Sequence, residues 1–335
     1  MNIAFIPVRG GSKSIPLKNI KIFAGKPLVY WCAKAANDAK SIDKVVIATD
    51  NKEIKNTVLK FNLPKINIFD RCAENATDNA STESVMLEYI HTKNNLRSND
   101  KIFLIQATSP LLSSITIDDM WSQFLQSGKD SALSAVRNKR FFWTSDGAPV
   151  NYDYKARPRR QDFSGLLMEN GAVYINSVKN IMNNKCRLSG TIFIYEMPEY
   201  MGLEIDEPDD WLILEIIKKR QQLKKTPHNK VFCIDIDGVL GRYADIKDMN
   251  QSYINNKPNQ DIISVCNHLY DNGNSIIVYT ARGSGSGIDW SKETEKQLKD
   301  WGLKYHELHF GKPPATYYID DKMLDLNLFK LLGKS

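Results

Sequence analysis

The chain alternates short apolar runs with amphipathic stretches, and this alternation restricts its fold more than any other feature. Strands are predicted where an apolar run ends in a polar loop, and helices where apolar residues recur at helical spacing. The predicted strands cover 2–8, 44–50, 101–110, 131–136, 171–177 and 190–197, and the predicted helices cover 27–39, 52–62, 81–95 and 208–224. This alternation predicts an α/β fold whose parallel sheet is covered by helices on both faces.

Two interruptions divide this pattern. Residues 138–165 are aromatic and basic and contain the turn signal SDGAP, so we expect a β-rich arm that leaves the sheet. The helix at 208–224 has acidic residues at its start and basic residues at its end, which suits the helix dipole. A polar stretch with a proline, 223–230, follows it and is typical of a linker. We therefore expect two domains, 1–224 and 228–335.

Composition restricts the classes of function. The 335 residues carry a formal net charge of +6, and Lys and Arg are spread along the chain, which favours small anionic substrates over nucleic acid. No apolar run approaches about 18 residues, and the N-terminus lacks the basic region of a signal peptide. A cytoplasmic protein without a membrane partner is expected. The five cysteines form no CxxC pair, which predicts buried free thiols in a reducing compartment.

The stretch 6–20, IPVRGGSKSIPLKNI, follows the first predicted strand and combines two glycines with three basic residues. Glycines let the backbone approach phosphate oxygens, and backbone N–H groups and cationic side chains offset phosphate charge. The spacing is not that of a Walker A loop. Taken alone, such a loop is either a triphosphate site or a solvated turn.

Further motifs follow this loop in a fixed order. They are IATD (47–50), DRCAENATDNAST (70–82), QATSPL (106–111), RRQDFSGLLMENGAVYIN (159–176) and EIDEPDDW (204–211). Together with the loop, these motifs resemble the acylneuraminate cytidylyltransferase family over roughly residues 1–222. The resemblance implies a Rossmann-like nucleotidyltransferase domain with a dimerisation arm, which takes CTP and a sialic acid or related nonulosonic acid.

The resemblance also implies roles for individual residues. Arg9 and Lys18 would be catalytic, because cations must balance the charge on the phosphates as pyrophosphate leaves. The nucleotide would be bound by Arg9, Gly10, Gly11, Ser12, Lys13, Lys18, Asn19, Arg71 and Ser81. The sugar would be bound by Gln106, Thr108, Ser109, Arg160, Asn170 and Tyr174. Glu204 and Asp206 would hold Mg²⁺, which prefers carboxylate and water ligands.

Departures from the family pattern lie near the expected acceptor. QATSPLL replaces the usual QPTSPLR, Glu204-Ile-Asp206 replaces a paired Asp-x-Asp, and Met168 and Glu169 stand where an arginine often precedes Asn-Gly. These departures leave the acceptor open. It could be a deaminated or 5,7-diamino nonulosonic acid, or, with the same chemistry, a different acceptor such as 3-deoxy-octulosonate or a capsule-specific small molecule.

Structural roles stay open for some of these residues. Tyr174 lies in an apolar strand and could belong to the core, and Ser109 could cap a turn. Asp210 is interpreted as a helix N-terminal acid. The segment 138–165 is similar to the family's dimerisation element, and a surface hairpin is the alternative.

A second group of polar residues follows strands in the C-terminal half. Asp235 and Asp237 come after an apolar strand and point to the same side, because side chains alternate along a strand. An aspartate can attack a phosphoryl group, and a second acid can protonate the leaving oxygen. Later predicted strands or their loops carry Thr280, Arg282, Lys312, Asp320 and Asp321.

This order of motifs resembles the haloacid dehalogenase-like phosphatase superfamily over roughly residues 229–328. The resemblance implies a small α/β domain without a large cap, in which Asp235 is the nucleophile, Asp237 is the acid/base and Lys312 is also catalytic. Phosphate would be bound by Thr280, Arg282 and Lys312, and Mg²⁺ by Asp235, Asp237, Asp320 and Asp321.

The two resemblances together predict a bifunctional enzyme. Its first domain would transfer CMP from CTP to a nonulosonic acid, and its second would hydrolyse the phosphate monoester of a phosphorylated sugar, such as a nonulosonate 9-phosphate. A C-terminal domain that serves only as an oligomerisation module is the alternative. A homodimer or higher homo-oligomer is expected.

Overall fold

A computed structural model of the chain divides into two compact units, Met1–Lys218 (unit one) and Lys219–Ser335 (unit two). Each unit is described by itself. The domain limits expected from the sequence, 1–224 and 228–335, stay a prediction. The structure describes residues 1–335 with the exception of 12–13, 78–79, 94, 223–226, 243–252, 317, 319–322 and 335.

In its described residues, unit one is built around a seven-stranded sheet with the strand order β5-β4-β1-β6-β8-β7-β9. Its strands are β1 (Asn2–Pro7), β4 (Lys44–Thr49), β5 (Ile66–Asp70), β6 (Lys101–Ile105), β7 (Ser131–Asn138), β8 (Leu166–Ser177) and β9 (Ile192–Met197). A separate small hairpin pairs β2 (Ile22–Phe23) with β3 (Lys26–Pro27).

The expectation of a parallel sheet is wrong at β8, which runs antiparallel to both β6 and β7. The other neighbouring strands are parallel. A parallel strand needs a crossover connection, usually an α-helix, whereas residues 139–165 between β7 and β8 contain no α-helix. The chain therefore returns beside β7 in the opposite direction, and the sheet is mixed.

Helices cover both faces of this sheet, as predicted. Ala4 and Ile6 of β1 pack on one face, while Ile3 and Phe5 pack on the other, because side chains alternate along a strand. The first face is covered by α1, α2 and α4, and the second by α3 and α5. The helices are α1 (Leu28–Asp38), α2 (Lys52–Leu59), α3 (Thr82–Thr92), α4 (Ser114–Ser127), α5 (Val178–Asn184) and α6 (Pro208–Gln222).

The excursion between β7 and β8 is less regular than predicted, so the expectation of a β-rich arm is wrong. Its β structure is a single bridge between Trp143 and Pro149, and it also contains a 3₁₀ turn. The ring centroids of Phe141 and Tyr152 lie 4.1 Å apart, and those of Phe141 and Phe163 lie 4.9 Å apart. Aromatic packing, and not a ladder of backbone hydrogen bonds, therefore organises the segment. Its role in dimerisation stays a prediction.

Unit two contains a parallel three-stranded sheet with the order β10-β13-β14. One face packs against two helices, which contribute Ile262 and Cys266 from the first and Leu298 from the second. The elements are β10 (Val231–Ile234), β11 (Gly241–Arg242), β12 (Lys257–Pro258), α7 (Gln260–Asp271), β13 (Ser275–Tyr279), α8 (Ser291–Asp300), β14 (Glu307–His309) and α9 (Leu326–Phe329).

All five cysteines are free thiols, but the expectation that they are buried holds only in part. Cys32 and Cys266 are buried, and burial raises the pKa of each thiol to about 12. Cys72 and Cys233 are exposed. Across the described residues, no helix combines the length and the apolar character that a membrane span requires.

Candidate active sites

The loops that follow β1, β5 and β6 form a pocket in unit one. These strands run parallel, so their C-terminal ends lie at one edge of the sheet. The predicted substrate residues that line the pocket are Arg9, Gly11, Lys18, Asn19, Arg71, Ser81, Gln106 and Thr108. The structure therefore brings predicted nucleotide and sugar residues together. Ser12 and Lys13 lie outside the described residues.

The glycine-rich loop after β1 is held by two side chains from elsewhere in unit one. The Gly10 N–H donates to Asp50 Oδ1 at 3.2 Å, and Asn19 Nδ2 donates to the Arg9 carbonyl oxygen at 3.2 Å. A Cβ atom at Gly10 would lie 2.6 Å from Asn51 Nδ2, so the loop can approach the end of β4 only with glycine at this position. Asp50 was not among the predicted site residues, although its position directly after an apolar strand was a signal.

Lys18 is the most enclosed cation of the pocket, with 9% of its surface exposed. It opens a short 3₁₀ turn, and its Nζ donates to the carbonyl oxygen of Ile205 at 2.6 Å and to Asp206 Oδ1 at 3.3 Å. These two contacts fix the position of the Lys18 ammonium group. They also place Asp206, a predicted Mg²⁺ ligand, beside the predicted nucleotide site.

The pocket is also lined by Arg71 and the start of α3. Arg71 Nε donates to the carbonyl oxygen of Ala48 at 3.0 Å, and burial lowers the pKa of its guanidinium. Ser81 is the N-cap of α3, and its Oγ accepts from the Ser84 N–H at 3.0 Å. A helix N-terminus and a fixed guanidinium both favour an anionic ligand.

Glu204 lies beside the residues predicted to bind the sugar. Thr108 Oγ1 lies 3.3 Å from Gln106 Oε1 and 3.4 Å from Glu204 Oε2, and the Ile205 N–H donates to the Thr108 carbonyl oxygen at 3.0 Å. Burial and the neighbouring Asp206 carboxylate raise the pKa of Glu204. In the described part of the chain, no group of three or more His, Cys, Asp or Glu side chains is arranged to hold a metal ion.

The remaining predicted sugar residues do not line this pocket as far as the described residues show. Arg160 is 59% exposed at its side chain and pairs with Glu199 at 2.9 Å. Asn170 is buried and donates to the Met201 carbonyl oxygen at 2.9 Å. Tyr174 is buried and donates to Glu169, which fits the alternative of a core role. Ser109 is also buried, and its Oγ has no hydrogen-bond partner.

Asp210 lies in the first turn of α6, which confirms its interpretation as a helix N-terminal acid. Its Oδ2 accepts from the backbone N–H groups of Asp206 at 3.1 Å and Glu207 at 2.8 Å. The start of the helix thereby fixes the backbone that carries Asp206.

Gly171, whose backbone lies close to the Glu204 side chain, was missed by the sequence analysis. It has a φ of +66°, and a Cβ atom there would overlap Glu204 Oε1 and lie 3.2 Å from Gln106 Oε1. The motif Asn-Gly-Ala between two apolar stretches was the available signal. Only glycine fits this position, because both the backbone conformation and the space exclude a side chain.

We expect Gly171→Ala to lower nucleotidyl transfer by about 10–100-fold, because the displaced Glu204 and Gln106 would no longer face the substrate correctly. The matched control is Gly128→Ala. Gly128 has nearly the same φ, +64°, but no atom lies within 4 Å of its added Cβ. This control should lose about 1–2 kcal/mol of stability and keep its activity. Equal activities of the two variants at a temperature where both are folded would contradict the role of Gly171.

A second set of predicted residues meets at the end of β10 in unit two. Lys312 Nζ lies 3.0 Å from Asp235 Oδ2. The Lys312 N–H donates to the Thr280 carbonyl oxygen at 3.1 Å, and Thr280 is buried at the end of β13. The structure thus places the predicted nucleophile beside Lys312, whose backbone is bonded to a second predicted phosphate-binding residue, Thr280. Asp320 and Asp321 lie outside the described residues.

Arg282 is placed differently from the expectation that it binds phosphate. It is 2% exposed, and its Nε and Nη2 donate to Asp237 Oδ2 and Oδ1 at 2.8 and 2.7 Å. Asn256 Nδ2 also donates to Asp237 Oδ1 at 2.7 Å. Asn256 was missed by the sequence analysis, because no motif connects it with Asp237.

Comparison with known proteins shows which family and which curated proteins the chain is similar to. A family model described as cytidylyltransferase matches residues 3–256. The chain is 36% identical over 220 residues to N-acylneuraminate cytidylyltransferase A of Danio rerio, covering 63% of this chain and 49% of that protein. It is 26% identical over 224 residues to the N-acylneuraminate cytidylyltransferase of Streptococcus agalactiae serotype III, covering 63% and 51%. The chain thus spans about half the length of these two relatives.

A shorter relative is matched over almost its whole length. The chain is 26% identical over 227 residues to the pseudaminic acid cytidylyltransferase of Campylobacter jejuni subsp. jejuni serotype O:2, covering 65% of this chain and 96% of that protein.

Proposed function

The chain belongs to the cytidylyltransferase family, and on this premise we propose that unit one transfers CMP from CTP to a sialic acid or a related nonulosonic acid. In this reaction, a sugar hydroxyl oxygen attacks the α-phosphorus of CTP. The bond from that phosphorus to the bridging oxygen of the β-phosphate breaks, pyrophosphate leaves, and the hydroxyl proton passes to solvent. The relatives named for sialic acid and pseudaminic acid support an acidic nine-carbon sugar as the acceptor.

The observation that carries this proposal is the arrangement of cations in the pocket of unit one. Arg9, Lys18 and Arg71 line one cavity together with the N-terminus of α3. Displacement of pyrophosphate depends mainly on positioning and on stabilising the charge that develops on the leaving phosphates. The fixed position of Lys18 on Ile205 and Asp206 suits it to that task.

Glu204 and Asp206 would hold Mg²⁺ at this site. Magnesium is often bound by one or two carboxylates together with substrate phosphates, so the donor set fits. A divalent cation would also offset the burial and the like charge that raise the pKa of Glu204. When bound, the ion would supply positive charge to the triphosphate.

The test is to incubate the protein with CTP, Mg²⁺ and single acceptors, measuring pyrophosphate and identifying the CMP-sugar by mass spectrometry. Release of pyrophosphate with a sialic acid, pseudaminic acid or a deaminated analogue would support the proposal. Release only with 3-deoxy-octulosonate or another small molecule would favour the alternative acceptor class, which the replaced motif QATSPLL keeps open.

For unit two, we propose hydrolysis of a phosphate monoester such as a nonulosonate 9-phosphate. The supporting observation is the contact of Lys312 with Asp235 beside the buried Thr280. An Asp235 oxygen would attack the phosphorus while the bond to the leaving oxygen breaks and Asp237 supplies that oxygen with a proton. Water would then attack the aspartyl phosphate and pass a proton to Asp237. Inorganic phosphate leaves, and the Asp235 carboxylate is restored.

Asp235 would also hold Mg²⁺ in unit two, with Asp320 and Asp321 as further proposed ligands outside the described residues. The Asp237 carboxylate, also expected to hold the ion, accepts bonds from Arg282 and Asn256 and is assigned the proton transfer instead. The carboxylate oxygens of Asp235 fit a hard cation, and so would the buried side-chain oxygen of Asn256, which has no hydrogen-bond partner. Bound there, the ion would balance charge on the phosphoryl group. A homodimer and the association of the two activities stay predictions.

A further inference from the structure

Arg282 occupies the centre of a buried polar network in unit two. Besides its two bonds to Asp237, its Nη1 donates to Thr294 Oγ1 at 3.2 Å and to Gln297 Oε1 at 2.8 Å, both on α8. The plane of the guanidinium also lies near the ring of Tyr253, with its carbon 5.1 Å from the ring centroid. Every guanidinium nitrogen therefore has a protein partner, which leaves this side chain poorly placed to bind a phosphoryl group.

The Asp237 carboxylate is held by three donors from the described residues. Arg282 donates one hydrogen bond to each carboxylate oxygen in a bidentate pair, and Asn256 donates a further hydrogen bond to Oδ1. A carboxylate offers about four lone-pair directions, so these bonds fix its plane and leave Oδ2 with the remaining direction. The side chain is only 10% exposed, so water cannot substitute freely for a lost donor.

The same network joins the segments around Asp237. Gln297 Nε2 donates to the carbonyl oxygens of Tyr253 at 2.7 Å and Ile254 at 3.2 Å, while its Oε1 accepts from Arg282. Asn256 lies two residues further along and reaches Asp237 directly. Arg282 thus connects β13, α8 and the segment 253–256 with the carboxylate that must exchange a proton in the proposed reaction.

We infer that Arg282 is a positioning residue, which orients Asp237 through the bidentate pair and does not bind the transferred phosphoryl group. This inference rests on the proposed phosphatase function. Its specific consequence concerns the second half of the reaction, because the water that attacks the aspartyl phosphate needs a correctly oriented proton acceptor. Lysine cannot replace arginine at such a site, because its compact ammonium group lacks the planar guanidinium geometry that donates to both carboxylate oxygens at once.

The test uses the full chain with Mg²⁺ and p-nitrophenyl phosphate, followed in a stopped-flow spectrophotometer. Nitrophenolate leaves without needing a proton, so attack by Asp235 should persist in Arg282→Lys and give a burst of about one product per site. Steady-state turnover should fall by about 10²-fold, because hydrolysis of the aspartyl phosphate needs Asp237 in place. The kcat/KM for the ester should change by less than about twofold, because it reports binding and attack by Asp235 and Arg282 does not contact the phosphate, so KM should fall together with kcat.

Two further variants make the result specific. Thr294→Val removes one acceptor of Arg282 while preserving side-chain shape, so it should fold and show the same burst with a smaller loss, about 3–10-fold. Lys304→Gln breaks an exposed ion pair of 2.8 Å with Asp271 and should behave as wild type.

Three outcomes would overturn the role of Arg282. They are unchanged turnover in Arg282→Lys, a parallel loss of burst and turnover in a folded Thr294→Val, and a large fall in kcat/KM of Arg282→Lys that identifies Arg282 as a phosphate ligand. A wild-type protein that releases no phosphate from any ester would instead contradict the phosphatase function, and the role of Arg282 with it.

Discussion

Replacing Lys18 by Met is expected to lower kcat for CMP transfer by about 10²–10³-fold, the range seen when one donor to a developing charge is removed. Lys18 is buried in the pocket wall, and its Nζ is already fixed by the Ile205 carbonyl oxygen and Asp206. The cation therefore needs little reorganisation when charge moves toward pyrophosphate. Methionine keeps much of the length and apolar character of the side chain while removing the charge.

The matched control for this variant is Lys21→Met. Lys21 is exposed and its Nζ lies 5.1 Å from the centroid of the Trp211 ring, so the same substitution removes a charge outside the pocket. It should change kcat by less than about twofold, because exposed charges contribute little. Pyrophosphate release and circular dichroism should be measured on both variants. A folded Lys18→Met protein with wild-type turnover would remove Lys18 from the catalytic group.

The sequence predicted the edge of the sheet at which the first pocket forms, because polar loops directly follow apolar strands. That pattern, together with the family resemblance, predicted that Arg9, Lys18 and Arg71 belong to one site, and all three line the pocket. The antiparallel direction of β8 could not be predicted, because it depends on how the chain returns from the irregular segment 139–165. Such a return is determined by long-range packing, which leaves little local signal in the sequence.

Contacts between distant side chains were the other feature that sequence patterns did not reveal. Arg282 and Asp237 are 45 residues apart, so the motif Thr-Ala-Arg indicated a phosphate ligand when the side chain in fact bonds to a carboxylate. Asn256 bonds to Asp237, and Gly171 lies against Glu204 and Gln106. Both contacts join residues that are distant in the sequence, so they depend on the tertiary structure. Residue types at strand ends thus indicate the chemistry of a site, whereas the partner of each group follows from the fold.

The second large effect is expected for Asp235→Asn, which should lower phosphate release by more than about 10³-fold while leaving CMP transfer within about twofold of wild type. The amide cannot form the proposed aspartyl phosphate, and loss of a nucleophile is among the largest single-residue effects in enzymes. Asparagine has nearly the same size as aspartate, so the packing at the end of the sheet should be kept. The substitution does remove the negative charge that lies 3.0 Å from the Lys312 ammonium group. Both activities should be measured on the same preparation, because CMP transfer then reports that unit one is folded, and circular dichroism should be compared with that of the wild type to check unit two.

The control for this variant is Asp271→Asn, which neutralises a carboxylate paired with a lysine at 2.8 Å on the exposed surface of the same unit. It should retain both activities, because this pair lies outside the proposed site and is open to water. If Asp235→Asn and Asp271→Asn released phosphate equally well, Asp235 would not be the nucleophile. An oligomerisation role for unit two would then be favoured, and the subunit number of the two variants in solution would be the next measurement. A selective loss in Asp235→Asn would instead assign phosphate release to unit two and separate it from the nucleotide chemistry of unit one.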